Sequence, residues 1–177
     1  MSDVNRDRLH AEMDEPFVVF LIGMRINSLW RVWEWLPVFL AMARMLRELA
    51  DHEALLAART VPGLRNWMVV QYWRSFEDLE AYARDEGAEH LPAWQRYADE
   101  IDPSGSVGIW HETYRVDPDE YETVYNNMPV HGLGEAGRLV PASGRNRRAA
   151  GRFGSDGGAA PSNAPPEADD PAADAEE

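Results

Sequence analysis

The sequence predicts an α+β fold, an antiparallel sheet carrying two helices on one face. Three observations predict it. Four runs rich in β-branched and aromatic residues are interleaved with two amphipathic stretches, in the order β-α-β-β-α-β. Within the strand runs both alternating faces are apolar. After about Ser143 the composition turns to Gly, Ala, Pro and acid, which bounds the folded part.

Residues 1–15 are polar and acidic and read as a flexible N-terminal lead. "FVVFLIGMRIN", 17–27, is the first strand. "SLWRVWEW" follows, with Trp30, Trp33 and Trp35 close together. "LPVFLAMARMLRELADHEA" is an amphipathic helix with Val38, Phe39, Met42, Met45, Leu46 and Leu49 on one face, and Pro37 suits its first turn. "LLAARTVPG" is a short second strand closed by Pro62 and Gly63, and "RNWMVVQYWR" is the third. Ser75 is an apt N-cap for the second helix, with Asp78 three residues later and Glu77 beside it at the positive end of the dipole. That helix bends near Gly87 and resumes through "HLPAWQRYADEI". "DPSG" is a turn, "SVGIWHETYRV" the fourth strand, and "YETVYNNMP", 121–129, a fifth extended piece. The order is the split βαβ, ferredoxin-like arrangement. The domain therefore spans 16–143, and 144–177 reads as a disordered acidic tail that cannot offset its ordering entropy by burial.

The totals exclude several classes of function. The 177 residues include no cysteine, so disulfides, thiolate metal sites and cysteine nucleophiles are absent. The net charge of −14 argues against nucleic acid or anionic lipid as partner. All 17 basic residues are arginine. Arg25, Arg31, Glu34 and Arg44 interrupt the apolar stretch that begins at Pro16, which leaves no run near the ~20 residues that span a bilayer. No apolar segment precedes a cleavage site, so no membrane association and a cytoplasmic location are expected. There is no Gly-rich phosphate loop after the first strand and no G-x-S-x-G elbow, which disfavours nicotinamide, ATP and serine-hydrolase chemistry.

Strand alternation also bears on assembly. Trp67, Val69, Gln71 and Trp73 face one way, and Met68, Val70 and Tyr72 the other. Phe17, Val19 and Leu21 oppose Val18, Phe20, Ile22 and Met24. Val107, Ile109 and His111 oppose Trp110, Tyr114 and Val116. Two helices cover only one such face. Either a second copy covers the other across a two-fold axis, giving a homodimer, or the extra strand and 128–142 fold back over it.

The stretches "NWMVVQYWRSFEDLEAYARDEGAEHLPAWQRY", "GIWHETYRV" and "YETVYNNMPVHGLGEAGRLVPASG" together resemble a monooxygenase-like family of uncertain function in the dimeric α+β barrel superfamily, over about residues 16–144. The resemblance implies a ferredoxin-like dimer with a pocket between sheet and helices in each subunit. Relatives include oxygenases that use no metal or flavin on electron-rich aromatic substrates, haem-degrading enzymes, haem-dependent aldoxime dehydratases, and members with no demonstrated catalysis. Haem-degrading relatives carry an asparagine on the first strand, a tryptophan on the second helix and a histidine beyond it. Asn27, Tyr82 and His90 are the nearest counterparts, but Tyr82 replaces the tryptophan and the spacing to the histidine differs.

His90 shares a helical face with Trp94, Tyr97 and Ile101. A neutral imidazole there is a candidate general base or haem ligand. Asn27 and Arg25 end the first strand and form a candidate pair for a substrate oxygen or oxyanion. Gln71 is the lone polar residue on its strand face and either orients a ligand or meets neighbouring backbone or His111. Trp30, Trp33, Trp67, Trp73, Trp94 and Trp110 are candidate walls of an aromatic pocket. His90, His111 and Glu112 lack ligand-like helical spacing, so no metal is expected. The leading expectation is a small-molecule oxidoreductase, monooxygenase-like, needing no cofactor and acting on an apolar or aromatic substrate. The alternatives are a non-catalytic module for a hydrophobic ligand or haem, and a haem-dependent enzyme with His90 as ligand.

Overall fold

The computed structural model describes residues 4–85, 87 and 90–153, without the side chains of His90, Leu91, Glu100 and Asp102. The chain forms β1 (Leu9–Glu12), β2 (Phe17–Ile26), α1 (Val32–Leu49), β3 (Leu55–Val61), β4 (Asn66–Trp73), α2 (Phe76–Arg84) and α3 (His90–Arg96). A π turn over Tyr97–Ile101 extends α3. Then come β5 (Val107–Val116), α4 (Leu133–Ala136), β6 (Arg138–Pro141) and α5 (Ala149–Arg152). Four strands make one antiparallel sheet in the order β3-β4-β2-β5, and β1 pairs with β6 apart from it. The sheet order is ferredoxin-like.

Register places alternate residues on the two faces. Met24 lies opposite Trp67 and Ile109, and Gly23 opposite Met68 and Trp110. On the helix face, Val18 and Trp73 pack with Leu49, Leu79 and Tyr82. Further along, Met24, Ile26 and Val69 pack with Met42, Tyr97 and Ile101. The Tyr97 hydroxyl donates to the Val107 carbonyl at 3.0 Å, which ties the π turn to the start of β5. The α2 cap forms as its sequence expects. The Asp78 N–H donates to Ser75 Oγ at 3.0 Å, worth about 1 kcal/mol. Helix α1 starts earlier than expected, at Val32, so Pro37 lies inside it rather than in its first turn.

Both candidate coverings of the second face bear on what is seen there. At one end Phe17, Val19, Leu56 and Tyr72 are packed under Tyr121, Tyr125, Leu133 and Leu139, so the chain after β5 does fold back. The stretch 121–129 forms no strand and holds only isolated bridges, Leu9 to Tyr125 and Asn5 to Met128. Its aromatic residues act as packing groups instead. At the other end Trp110 and Val61 remain exposed, as does Tyr114 on the edge strand opposite Val19. Gly23 lets Trp110 lie flat there, since a Cβ would come within 2.6 Å of the indole.

Two expected boundaries are corrected. The lead is not all flexible, because β1 lies within it and Leu9, His10 and Ala11 are buried. The Ala11 N–H donates to Thr123 Oγ1 at 2.8 Å and the Met13 N–H to Tyr121 Oη at 2.6 Å. The tail also starts later than 144. Arg152 is only 4% exposed at its side chain and is ion-paired with Glu122. Residues 154–177 lie outside the described residues.

Candidate functional site

Two small apolar chambers lie between the helix face of the sheet and the helices. The outer one, about 80 Å³, is walled by Ile22 and Ile109 from the sheet, Val38 and Ala41 from α1, and Ala93, Trp94 and Tyr97 from the α3 segment. The inner one, about 50 Å³, is walled by Phe20, Val69 and Gln71 from the sheet, Leu46 and Leu49 from α1, and Leu79 and Tyr82 from α2. Ile22, Met42 and Met45 line both. An apolar cavity of about 150 Å³ holds one benzene, so neither chamber alone takes an aromatic ring. Methionine side chains are unbranched and adaptable. Met42 and Met45 are thus the adaptable part of the wall the two chambers share.

Gln71 is the polar group of the inner chamber that the sequence singled out. It is 5% exposed. Its Oε1 accepts from the Trp73 indole N–H at 2.8 Å, the neighbour two residues on and on the same strand face. An indole only donates, so this bond fixes which end of the amide is oxygen, and Gln71 keeps its amide N–H groups and one lone pair of that oxygen to offer a ligand. Trp73, expected as a pocket wall, is fully buried behind the chamber and orients Gln71. Tyr82 lines the inner chamber, with its ring 5.8 Å from that of Trp73.

His52 was not foreseen. It follows α1 and meets Trp73 edge-on at 5.5 Å and Tyr82 at 5.8 Å. Its Nδ1 accepts from the Ala54 N–H at 3.3 Å, so in the neutral ring Nε2 carries the proton. Nothing local in "ADHEA" marks it, because only the tertiary return of the chain into β3 brings it to α2.

The other expected residues divide. Trp94 lines the outer chamber, its ring centroid 5.7 Å from that of Tyr97 and tilted 35° to it. His90 opens α3, one turn before Ala93 and Trp94, and its side chain lies outside the described residues. His111 is on the helix face of β5 but exposed, 5.8 Å from Phe20, and lines neither chamber. Asn27 and Arg25, expected at a pocket mouth, are placed elsewhere. Asn27 Nδ2 donates to the Gly105 carbonyl at 3.0 Å and Arg25 Nη1 to Asn66 Oδ1 at 3.1 Å, both at the surface. Polarity at the end of β2 is used to tie it to its neighbours. Of the tryptophans, Trp67 and Trp73 are core, while Trp30 and Trp33 are 91% and 71% exposed.

Among the described residues no three His, Asp or Glu side chains gather as a metal site. A haem is far larger than either chamber, so the described residues do not fit one. Residues 17–133 match the family described as monooxygenase af470-like. The chain belongs to that family. The matched stretch of this af470-like chain holds every wall of the two chambers and leaves out β1 and β6. No curated protein matches the chain. Among solved structures it is similar to SnoaB, a cofactor-independent oxygenase from Streptomyces nogalater, at 10% identity over 55% of this chain and 90% of that one, TM-score 0.41. It is also similar to a dimeric protein of unknown function and ferredoxin-like fold from Bacteroides fragilis, at 14% identity over 57% and 95%, TM-score 0.41.

Proposed function

We propose that the protein is a monooxygenase-like oxidoreductase that takes a small aromatic substrate into the two chambers and uses neither metal nor flavin. The pair of chambers carries the reading: apolar walls, adaptable methionines in the shared wall, and Gln71 and Tyr82 as polar groups at the inner end. The Gln71 N–H groups hold a substrate oxygen and stabilise the negative charge that develops on it. His90, placed by helical spacing one turn before Trp94, takes a proton from an acidic C–H. The resulting carbanion is delocalised over the ring system and passes an electron to O₂. The radical pair combines to a peroxide, which loses water to leave a carbonyl. One oxygen atom enters the product and the other leaves as water, so O₂ is the only co-reactant. Apolar walls exclude the water that would return the proton.

The protein acts as a homodimer in this reading, with the exposed Trp110, Val61 and Tyr114 of the second sheet face against their copies. Oxygen uptake with a panel of phenols, quinols and polycyclic ketones tests the activity. A substrate-dependent uptake that falls ~10²-fold or more in His90→Ala is expected. Tight binding across the panel without uptake would leave a non-catalytic ligand module.

A further inference from the structure

Two loops leave the sheet at one end, residues 27–31 after β2 and 62–65 before β4. The pairing of Arg25 with Asn66 sets them side by side, and the Ile26 N–H donates to the Arg65 carbonyl at 2.8 Å. These loops and the start of α1 hold the most exposed large apolar side chains of the described residues, Trp30 at 91%, Leu64 at 88% and Trp33 at 71%. The first loop is fixed by its own bonds. The Arg31 N–H donates to the Ser28 carbonyl at 3.2 Å and the Trp35 indole to the Leu29 carbonyl at 3.0 Å, with Trp30 left in solvent. Residues 16–33 and 54–76 contain no acid, in a chain that has 31. The exposed charges beside the apolar tips are Arg25, Arg31 and Arg65. Arg25 is bonded to the neutral Asn66, and Arg31 to Glu34, whose second oxygen accepts from Ser104 Oγ at 2.7 Å. No ion pair of the described residues involves Arg65.

We infer that this end of the molecule docks on a lipid bilayer, with Trp30, Trp33 and Leu64 at the boundary of headgroups and acyl chains and the arginines among the phosphates. Side chains as exposed as Trp30 and Leu64 protrude, so a protein partner would need a separate pocket for each. A fluid bilayer takes protruding side chains without shape matching, and tryptophan favours its interface because an apolar ring carries one polar N–H. A second copy set against this end across a two-fold axis would bring arginine toward arginine. The net charge of −14 led to the expectation of no anionic lipid partner, but a total hides where the charges lie. At physiological salt a charge is felt over only ~8 Å, so the acid-free end sets the local sign. Attachment is peripheral, since no helix of the described residues is long and apolar enough to cross a membrane.

Co-sedimentation of the full chain with vesicles of phosphatidylcholine, alone or mixed with phosphatidylserine, tests this. Binding to both is expected, tighter to the mixture. Trp30→Ser combined with Leu64→Ser should weaken both by roughly tenfold or more. Arg65→Gln should weaken binding to the mixture alone, by about fivefold, the scale of one cation at an anionic surface. Val130→Ser, 51% exposed on the segment after β5, should keep both affinities. Trp30→Phe should keep binding and lose part of the fluorescence quenching by bromine-labelled acyl chains, a readout that does not need the double variant to fold. Absence of sedimentation with either vesicle overturns the inference. So does binding that survives in the Trp30 and Leu64 variant or falls equally in Val130→Ser, and so does quenching undiminished in Trp30→Phe. None of these outcomes depends on the chambers being a substrate site.

Discussion

Gln71 and Trp73 show how one residue pair sets the chemistry of the inner chamber. The Trp73 indole N–H is buried and its partner is the Gln71 oxygen at 2.8 Å. Gln71→Leu should leave that donor unpaired and cost about 1–3 kcal/mol. Adding Trp73→His or another polar change would blur the result, whereas Trp73→Phe in the same background removes both partners. The double variant should lose less than the sum of the two single losses in urea unfolding, and strict additivity would show that the pair is not coupled. The polarity of Gln71 on an apolar face was legible in the sequence. Its partner was not, because alternation gives the face of a residue but not its rotamer. The same limit applies to Asn27 and Arg25, whose strand-end position was right and whose side chains turn to surface partners. His52 was invisible because its neighbours come from distant stretches of the chain.

At the scale of elements, periodicity was a good guide wherever a stretch packs by its own apolar stripe. The four sheet strands, α1, α2 and the break near Gly87 follow from spacing, turn residues and one cap. β1 and β6 did not, since "LHAE" and "RLVP" are four residues each and owe their extended form to each other across the chain. Strand preference of this kind depends on context more than on sequence. The aromatic stretch 121–129 misled in the opposite direction, because Tyr121 and Tyr125 serve as lids over β2 and β4 rather than as strand residues. Arg152 carries the same lesson for the tail. Truncation after Ser143 removes its ion pair with Glu122, and its bonds to the carbonyls of Asn146 and Arg147. A loss of about 1.5–3 kcal/mol is expected from the charged pair, read as a lower urea midpoint. An unchanged midpoint would show that the segment contributes nothing to the fold.

For the whole molecule, the fold-back over the second sheet face makes stability sensitive to alkali. Burial first of all raises the pKa of Tyr72, Tyr121 and Tyr125 above the usual 10.0. Their folded forms resist ionisation while the unfolded chain ionises freely. The contribution is therefore complete below about pH 10 and is lost as pH rises through the higher folded values. Unfolding should set in earlier on alkaline titration than in Tyr72→Phe or Tyr125→Phe, as read by circular dichroism. A curve identical in all three proteins would contradict the assignment.

The account turns on where an aromatic ligand sits. The chain has seven methionines, and four of them report on distinct surroundings. Met42 and Met45 divide the chambers, Met68 lies on the opposite sheet face, and Met128 belongs to the segment after β5. Protein labelled with ¹³C at the methionine methyls and titrated with 2-naphthoate or 2-naphthamide distinguishes these places in one spectrum. The methyl resonances of Met42 and Met45 should shift and show direct contacts to the ring protons, while those of Met68 and Met128 stay in place. Contacts at Met68, or binding that leaves Met42 and Met45 unmoved, would place the ligand elsewhere and contradict the chambers as the site.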